Sequence, residues 1–203
     1  MSNGSILILV GPEYEDLELW YPKYRLEAAG FDAPVAGMGQ ASYQGKHGYP
    51  CPVDGNIADY SADKLAGIVV PGGWAPDKLR RDAAGLQLVR DLTAAGKLVA
   101  TICHGPWVLI SAGVVRGRRM TSTVGIRDDL VNAGALWVDE PVVTDDNIIS
   151  SRVPRDLPLF GEAVVAWLEA RSGSTAASRS PAEAPVPAPK LDLPKPFAGR
   201  RGS

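Results

Sequence analysis

Cysteine and histidine are scarce in this chain, and their small numbers exclude several kinds of site. The 203 residues contain two cysteines, Cys51 and Cys103, and two histidines, His47 and His104. Two cysteines do not make a disulfide framework, and a reducing compartment keeps both as thiols. A closed zinc site usually takes four ligands, of which His47 and Cys51 would supply only a pair. We therefore expect no metal site, and thiol chemistry is open to either cysteine.

Long apolar runs and an excess of one charge are also missing. No apolar run reaches the length of a membrane span, and the first residues, MSNGSILILVGPEYED, have neither a basic region nor a cleavage site after their short apolar run. A net charge of -2 and a pI near 5.7 give no general attraction to nucleic acid or to anionic membranes. No G-x-G-x-x-G motif follows the first predicted strand, so nucleotide binding has no support. The sequence predicts a cytoplasmic protein that has neither nucleic acid nor a membrane as partner.

Short apolar runs alternate along the chain with longer helical patterns. The runs that predict strands covered on both faces are 6–10, 31–36, 67–70 and 98–102. Helical patterns follow at 16–30, with a kink expected at Pro22, and at 82–97. The later part predicts a short helix closed by Gly134, a strand near 136–138, a hairpin around 145–147 and a final amphipathic helix at 157–170. This alternation predicts an α/β fold with a flavodoxin-like, open, mostly parallel sheet and helices on both faces.

Composition divides the chain near residue 172. Residues 1–172 carry the alternating pattern and form one α/β domain. Residues 173–203 are rich in Pro, Ala and Ser, which bury too little apolar surface to build a core. We expect that segment to be a disordered or polyproline-II-like tail.

Cys103 stands between a predicted strand and a predicted helix, in KLVATICHGPWVLISAG. A residue in a tight strand-to-helix turn presents its side chain above the sheet, as in a nucleophile elbow. Gly105 permits the close turn, and Pro106 suits the first helical turn. The free N–H groups of the following helix are expected to lower the thiol pKa. The alternative is a buried and inert cysteine, since free cysteines are often buried.

Two further segments follow predicted strands and should meet Cys103 at the same sheet edge, PEYED and PGG. In the first segment, three residues are candidates for a carboxyl beside the sulfur: Glu13, Glu15 and Asp16. The alternative role of these acidic residues is to cap the first helix. In the second, Gly72 and Gly73 let backbone N–H groups approach a substrate oxygen, although Pro-Gly-Gly is also an ordinary turn.

His104 directly follows the cysteine. Adjacent residues at a helix start point in different directions, so we expect His104 to need an orienting group from elsewhere. A histidine that only bonds a local carbonyl is the other interpretation.

These segments together resemble the PfpI family of intracellular cysteine peptidases, glyoxalases and deglycases, within the class I glutamine-amidotransferase-like superfamily. The resemblance extends from about Ile6 to Leu168. It is carried by EYEDLELWYPKYRLEAAG, GKHGYP, VVPGGWAPDKLR, ICHGPWVLISAGVVRGRRMTS, GIRDDLVNAGALWVDEPVV and ISSRVPRDLP.

The resemblance implies a role for five residues. Cys103 would be the nucleophile, His104 its acid/base companion, and Glu15 the carboxyl beside the sulfur. The backbone amides of Gly73 and His104 would form the oxyanion hole. Asp77 of a neighbouring subunit would reach His104, which implies a homo-oligomer, either a dimer or a hexamer.

Four positions depart from the family pattern. Asp77 stands where the family often has the longer Glu, and Thr123 stands where some members carry Tyr. Trp74 and Trp107 occupy positions beside the site where smaller polar residues are common. We therefore expect these residues to line a narrower and more apolar substrate pocket.

The combined prediction is a cysteine-dependent hydrolase or lyase that needs no cofactor. Its substrate would be a peptide amide or a small reactive carbonyl compound such as methylglyoxal. The alternative is a stress-response protein or redox sensor, in which Cys103 is oxidised to a sulfinic acid held by Glu15. A glutaminase takes its histidine from downstream of the nucleophile, and no histidine follows His104, so that activity is nearly excluded.

Overall fold

A seven-stranded sheet forms the centre of the molecule in the computed structural model, which describes residues 3–172. The predicted tail, 173–203, lies outside the described residues. The strands are β1 Ile6–Leu9, β2 Val35–Gly37, β3 Ser42–Gln44, β4 Pro50–Pro52, β5 Gly55–Asn56, β6 Gly67–Val70, β7 Leu98–Ile102, β8 Arg119–Met120, β9 Leu136–Trp137, β10 Val142–Asp145 and β11 Ile148–Ser151. The helices are α1 Asp16–Ala28, α2 Ala75–Leu79, α3 Ala83–Ala94, α4 Pro106–Ala112, α5 Arg127–Asn132 and α6 Leu157–Ser172.

The strand order in the main sheet is β10-β11-β7-β6-β1-β2-β5, which confirms the predicted flavodoxin-like arrangement. All neighbouring strands are parallel except β10, which pairs antiparallel with β11 as the predicted hairpin. The chain passes from β1 to β2 on one side and later returns to β6 on the other side. The order therefore reverses between β1 and β6, where open α/β sheets place their ligands.

The central strands are buried along their whole length. Every residue of β1, β6 and β7 is buried, as the consecutive apolar residues of these strands predict. The second predicted strand is shorter than expected, because β2 begins only at Val35. The carbonyls of Asp32 and Pro34 still accept from the amides of Ile6 and Ile8, but Pro34 has no N–H to donate to a ladder.

A small hairpin of β3 and β4, which the sequence did not predict, is fixed to the start of α1. The Asp16 carboxylate accepts from the backbone N–H of His47 at 3.0 Å and from that of Tyr49 at 3.1 Å. A Cβ at Gly45 would collide with the same carboxylate, so a glycine allows the close approach. These contacts hold the hairpin turn beside the residues that follow β1.

The remaining elements extend the sheet or pack on its faces. The predicted strand near 136–138 is β9, which pairs with β8 outside the main sheet. Helix α1 continues through Pro22 to Ala28. No helix within residues 3–172 is long and apolar enough to cross a membrane.

Candidate active site

Cys103 occupies a sharp turn between β7 and α4, as the sequence predicted. Its φ of 60° is left-handed, a conformation that costs an L-residue about 1–2 kcal/mol. The turn is held by a hydrogen bond from the Gly105 amide to the Ile102 carbonyl at 2.8 Å. A Cβ at position 105 would collide with the Thr101 hydroxyl and the Val70 carbonyl, so the glycine is required. The cysteine is 9% exposed at the carboxyl edge of the sheet.

His104 contacts the sulfur directly. Its Nδ1 lies 3.2 Å from Sγ of Cys103. The expectation that these neighbours point apart was wrong, because the left-handed backbone at Cys103 differs from the helical geometry on which it was based. Burial lowers the pKa of His104, and the positive charge of Lys46 lowers it further. The imidazole is therefore neutral at neutral pH and can accept a proton.

The carboxyl beside the sulfur belongs to Glu18, so the assignment of Glu15 was wrong. The Glu18 side chain is fully buried, and its charge acts directly on the Cys103 thiol. Its Oε2 accepts from the Gly72 amide at 2.8 Å. A Cβ at position 72 would clash with both Glu18 and Cys103, so Gly72 allows the carboxyl and the sulfur to meet.

Glu15 instead caps α1. Its Oε2 accepts from the Glu18 amide at 2.8 Å, and its Oε1 lies 3.7 Å from Nε2 of His47. Glu18 is one helical turn further on, in phase with the buried Pro22 and Leu26. This spacing is the sequence signal that identifies Glu18, because it places a carboxyl on the face of the helix that packs inward.

Two backbone amides also reach the sulfur. The N–H groups of Gly73 and His104 lie beside Cys103 and act to lower the pKa of its thiol. Gly73 has a φ of 75° and forms an antiparallel bridge with Tyr14, where a Cβ would collide with backbone atoms of residues 13–15. The loops after β1, β6 and β7 therefore meet at the cysteine, as their common position at the strand ends predicts.

The titration of the pair Cys103 and Glu18 is dominated by burial. Burial raises the pKa of Glu18 to about 8, and the charge of Glu15 adds to the rise. Burial and the Glu18 charge together raise the pKa of Cys103 to about 12, although the two amides oppose the rise. The expected lowering of the thiol pKa by the helix start was therefore wrong for this chain, because desolvation outweighs the amides. At neutral pH the Glu18 carboxyl and the Cys103 thiol are therefore both protonated.

The two predicted tryptophans flank His104. The ring centre of Trp74 lies 5.5 Å and that of Trp107 5.0 Å from the imidazole centre. Both line a pocket of about 330 Å³, together with Pro12, Glu13, Asp77 and Lys78. Three of these lining residues, Glu13, Asp77 and Lys78, are charged and share the rim with the indoles.

Asp77 lies on the rim of this pocket, whereas Thr123 borders a different one. Asp77, on α2, binds Arg81 at 2.8 Å and approaches Lys78 at 3.4 Å. Its predicted contact with His104 of a neighbouring subunit stays a prediction. The Thr123 amide donates to the Cys103 carbonyl at 3.2 Å, and its side chain borders a separate hollow of about 210 Å³ with Arg152 and Arg155.

The second cysteine has a different environment. Cys51 is fully buried in β4, and burial raises the pKa of its thiol to about 11. Within residues 3–172, no group of three or more His, Cys, Asp or Glu side chains is placed to hold a metal ion.

Comparison with known proteins assigns the family. Residues 4–167 match the model of the DJ-1/PfpI family. The chain belongs to the DJ-1/PfpI family. It is 49% identical over 160 residues to an uncharacterized protein of Archaeoglobus fulgidus, which covers 78% of this chain and 95% of that protein. It is 46% identical over 152 residues to the protein named deglycase PfpI of Pyrococcus furiosus, which covers 75% of this chain and 92% of that protein.

Solved structures of the family have the same fold. The crystal structure of Drosophila melanogaster DJ-1beta matches with a TM-score of 0.78 and 29% identity, over 87% of this chain and 96% of that one. A two-domain protein of Anabaena variabilis, with DJ-1/ThiJ/PfpI-like and ferritin-like domains, matches with a TM-score of 0.78 and 38% identity. That match covers 87% of this chain and only 50% of the two-domain chain.

Proposed function

We propose that this protein is a cytoplasmic, cofactor-independent deglycase and glyoxalase that uses Cys103 to convert methylglyoxal-type aldehydes and their adducts. The observation that carries the proposal is the convergence of the Glu18 carboxyl, the His104 imidazole and two backbone amides on one sulfur. Relatives named deglycases, such as those of Pyrococcus furiosus and Pyrococcus abyssi at 46% and 47% identity, support the same chemistry.

The first step is addition of sulfur to the aldehyde carbon. The neutral His104 takes the thiol proton as the bond forms, at the 3.2 Å separation of Nδ1 and Sγ. The negative charge then moves from sulfur to the former carbonyl oxygen. The amides of Gly73 and His104 already point at the sulfur, so the growing oxyanion lies within their reach.

The later steps require only proton transfer and water. A proton leaves the former aldehyde carbon and another is added at the neighbouring ketone carbon, so the hemithioacetal becomes a thioester of lactate. Hydrolysis of the thioester then releases lactate and restores the thiol. The sum is methylglyoxal plus water giving lactate, with no outside oxidant or reductant. When the aldehyde is bound to an amine, the amine is the additional product.

A neutral Glu18 has a defined part in this sequence. With a pKa near 8, its carboxyl keeps a proton at neutral pH and can donate a hydrogen bond to the sulfur as negative charge develops there. An ionised carboxylate at the same place would repel that charge. Hydrolysis of peptide amides by the same site would proceed through an acyl-enzyme at Cys103.

The test compares two substrates and matched variants. Steady-state turnover of methylglyoxal and of a peptide amide is measured for the parent, Cys103→Ser and Cys51→Ser. We expect the parent and Cys51→Ser to produce lactate at equal rates, and Cys103→Ser to produce none. Lactate formation that survives Cys103→Ser would refute the proposal, and cleavage of the amide alone would assign a peptidase.

A redox sensor is the second candidate, supported by the same donors around the sulfur. A sulfinic acid formed from Cys103 and two equivalents of hydrogen peroxide, with release of two waters, would accept hydrogen bonds from the protonated Glu18 and the two amides. Mass spectrometry after peroxide titration tests this role. Stoichiometric sulfinic acid at Cys103 without measurable methylglyoxal turnover would favour the sensor over the enzyme.

A further inference from the structure

We infer that the indole of Trp107 positions the His104 imidazole against the Cys103 sulfur. Asp129 and Arg80 in turn hold that indole in place. All three are positioning residues, which act on the reaction through the imidazole and react with no substrate themselves. The inference rests on the proposed function, because the imidazole is the proton acceptor of that reaction.

The imidazole of His104 has few polar contacts to fix it. Its Nδ1 lies 3.2 Å from Sγ of Cys103, and within residues 3–172 the structure shows no other hydrogen bond to this ring. A single contact leaves a side chain free to change between staggered conformations. A turned ring would take the proton acceptor away from the thiol. The ring therefore needs a restraint other than hydrogen bonds.

Two indole rings contact the imidazole and restrict its rotation. The ring centre of Trp107 lies 5.0 Å from that of His104, with the two planes inclined by 59°. For Trp74 the distance is 5.5 Å and the angle 40°. Trp74 is 55% exposed, whereas Trp107 is half-buried. Trp107 is therefore the closer and the better fixed of the two rings.

Side chains from two neighbouring helices hold the indole of Trp107. Its Nε1 donates to Oδ2 of Asp129, on α5, at 2.7 Å. The guanidinium carbon of Arg80, which directly follows α2, lies 5.6 Å from the ring centre. The Nε of Arg80 donates to the hydroxyl of Ser111, on α4, at 2.9 Å. The indole is thus held at its polar edge by a carboxylate and over its ring by an anchored cation.

Asp129 and Arg80 do not border the pocket beside the imidazole. Among the described residues, the lining of that pocket includes Trp107 but neither of these two. We therefore expect their effect on the reaction to pass through the indole. The restraint leaves Nε2 of His104 open to the predicted contact with Asp77 of a neighbouring subunit.

Nuclear magnetic resonance tests the restraint without any turnover. The chain has two histidines, so His47→Gln leaves His104 as the only source of imidazole signals. The nearby indoles displace these signals from those of a free histidine. We expect Asp129→Leu, which removes the acceptor, to move the signals toward the free values and to increase ring motion measured by relaxation. Asp129→Asn keeps an acceptor oxygen and should change neither quantity.

Turnover of methylglyoxal tests what the restraint contributes to the reaction. We expect Asp129→Leu to lower kcat about tenfold and to leave KM nearly unchanged, because the proton acceptor is misplaced while the pocket lining is intact. Asp128→Leu is the matched control, since it removes the neighbouring carboxylate in the same first turn of α5. This control should keep the parent kcat.

A double-mutant cycle tests the path of the effect. Trp107→Phe keeps an aromatic ring but has no N–H to donate, so it should also increase the motion of the His104 ring. In the Trp107→Phe background, a further Asp129→Leu change should alter neither the ring motion nor kcat. Equal tenfold losses of kcat in both backgrounds would mean that Asp129 acts by another path, and would overturn the inference.

The results also separate the inference from the proposed function. Unchanged ring motion in both Asp129→Leu and Trp107→Phe would overturn the inference, as would greater ring motion with an unchanged kcat. Greater ring motion in these variants of a protein that converts no methylglyoxal would uphold the restraint on His104 and refute the proposed function.

Discussion

At the scale of single residues, the proton on Glu18 links the site to stability. Burial raises the pKa of this carboxyl from 4.5 to about 8 on folding. Between these values the folded chain keeps a proton that the unfolded chain has lost, so folding takes up a proton. The contribution of Glu18 to stability is therefore most favourable below pH 4.5 and declines as the pH rises to about 8.

Glu18→Gln should remove this pH dependence. A glutamine keeps the size of the side chain and does not ionise, so the parent should lose about 1.4 kcal/mol of unfolding free energy per pH unit relative to the variant across that window. Denaturant unfolding at a series of pH values measures the difference. Glu169→Gln, which changes an exposed glutamate on α6, is the control. If the difference in unfolding free energy between the parent and Glu18→Gln did not change with pH, Glu18 would be ionised in the folded protein.

Lys46 acts on His104 through its charge. Because this charge lowers the pKa of His104, Lys46→Met should raise that pKa and move the acid limb of the activity profile to higher pH. The ring signals of His104 in NMR titrations measure the shift, with His47→Gln used to remove the other imidazole. Lys64→Met removes the same charge ahead of β6, at the opposite end of the sheet, and should leave the His104 titration unchanged.

At the scale of elements, the turn between β7 and α4 depends on Gly105. Because an added Cβ meets the Thr101 hydroxyl and the Val70 carbonyl, Gly105→Ala should destabilise the protein by about 1–3 kcal/mol and displace Cys103. Thermal unfolding and the alkylation rate of Cys103 measure the two effects. Gly125→Ala is the control, since no atom lies within 4 Å of a Cβ built there. Normal stability and alkylation of Gly105→Ala would mean that the turn adapts without loss.

The hairpin of β3 and β4 shows how one element positions another. It follows β2 by only a few residues, yet the Asp16 carboxylate fixes its turn to the first residues of α1. That turn carries both Lys46 and His47. An exposed loop thereby supplies a charge that acts on the half-buried imidazole of His104.

At the scale of the whole molecule, the open question of the site is the partner of His104. We predict that the site is shared between subunits, with Asp77 of one reaching His104 of the other. Asp77→Asn and Cys103→Ser should each be inactive alone, while co-refolded equal amounts should regain about a quarter of the parent activity. Half of the dimers are then mixed, and each mixed dimer holds one complete site.

Light scattering and a matched variant control this experiment. The mixed sample must have the same oligomeric mass as the parent, and Asp128→Asn, which alters an exposed carboxylate on α5, should be fully active. Full activity of Asp77→Asn, or of a monomer, would show that His104 is oriented within its own chain.

Sequence alone determined the order of the main strands and long helices and the position of the nucleophile. Runs of consecutive apolar residues specify strands buried on both faces, and β6 and β7 begin and end where these runs do. The string Cys-His-Gly-Pro specifies a turn, because only glycine fits at position 105 and proline suits the first turn of α4. These are local effects, which depend on residues close together in the chain.

Tertiary structure alone decided which groups meet the sulfur and what they do to it. The resemblance in sequence favoured Glu15, whereas the docking of α1 against the sheet turns Glu18 inward and leaves Glu15 as a cap. The thiol pKa rises where the helix start alone predicts a fall, because desolvation depends on how many distant segments cover the side chain. The left-handed φ of Cys103 likewise brings His104 onto the sulfur. The position of Glu18 and the rise of the thiol pKa depend on residues far apart in the chain, whose distances no local pattern specifies.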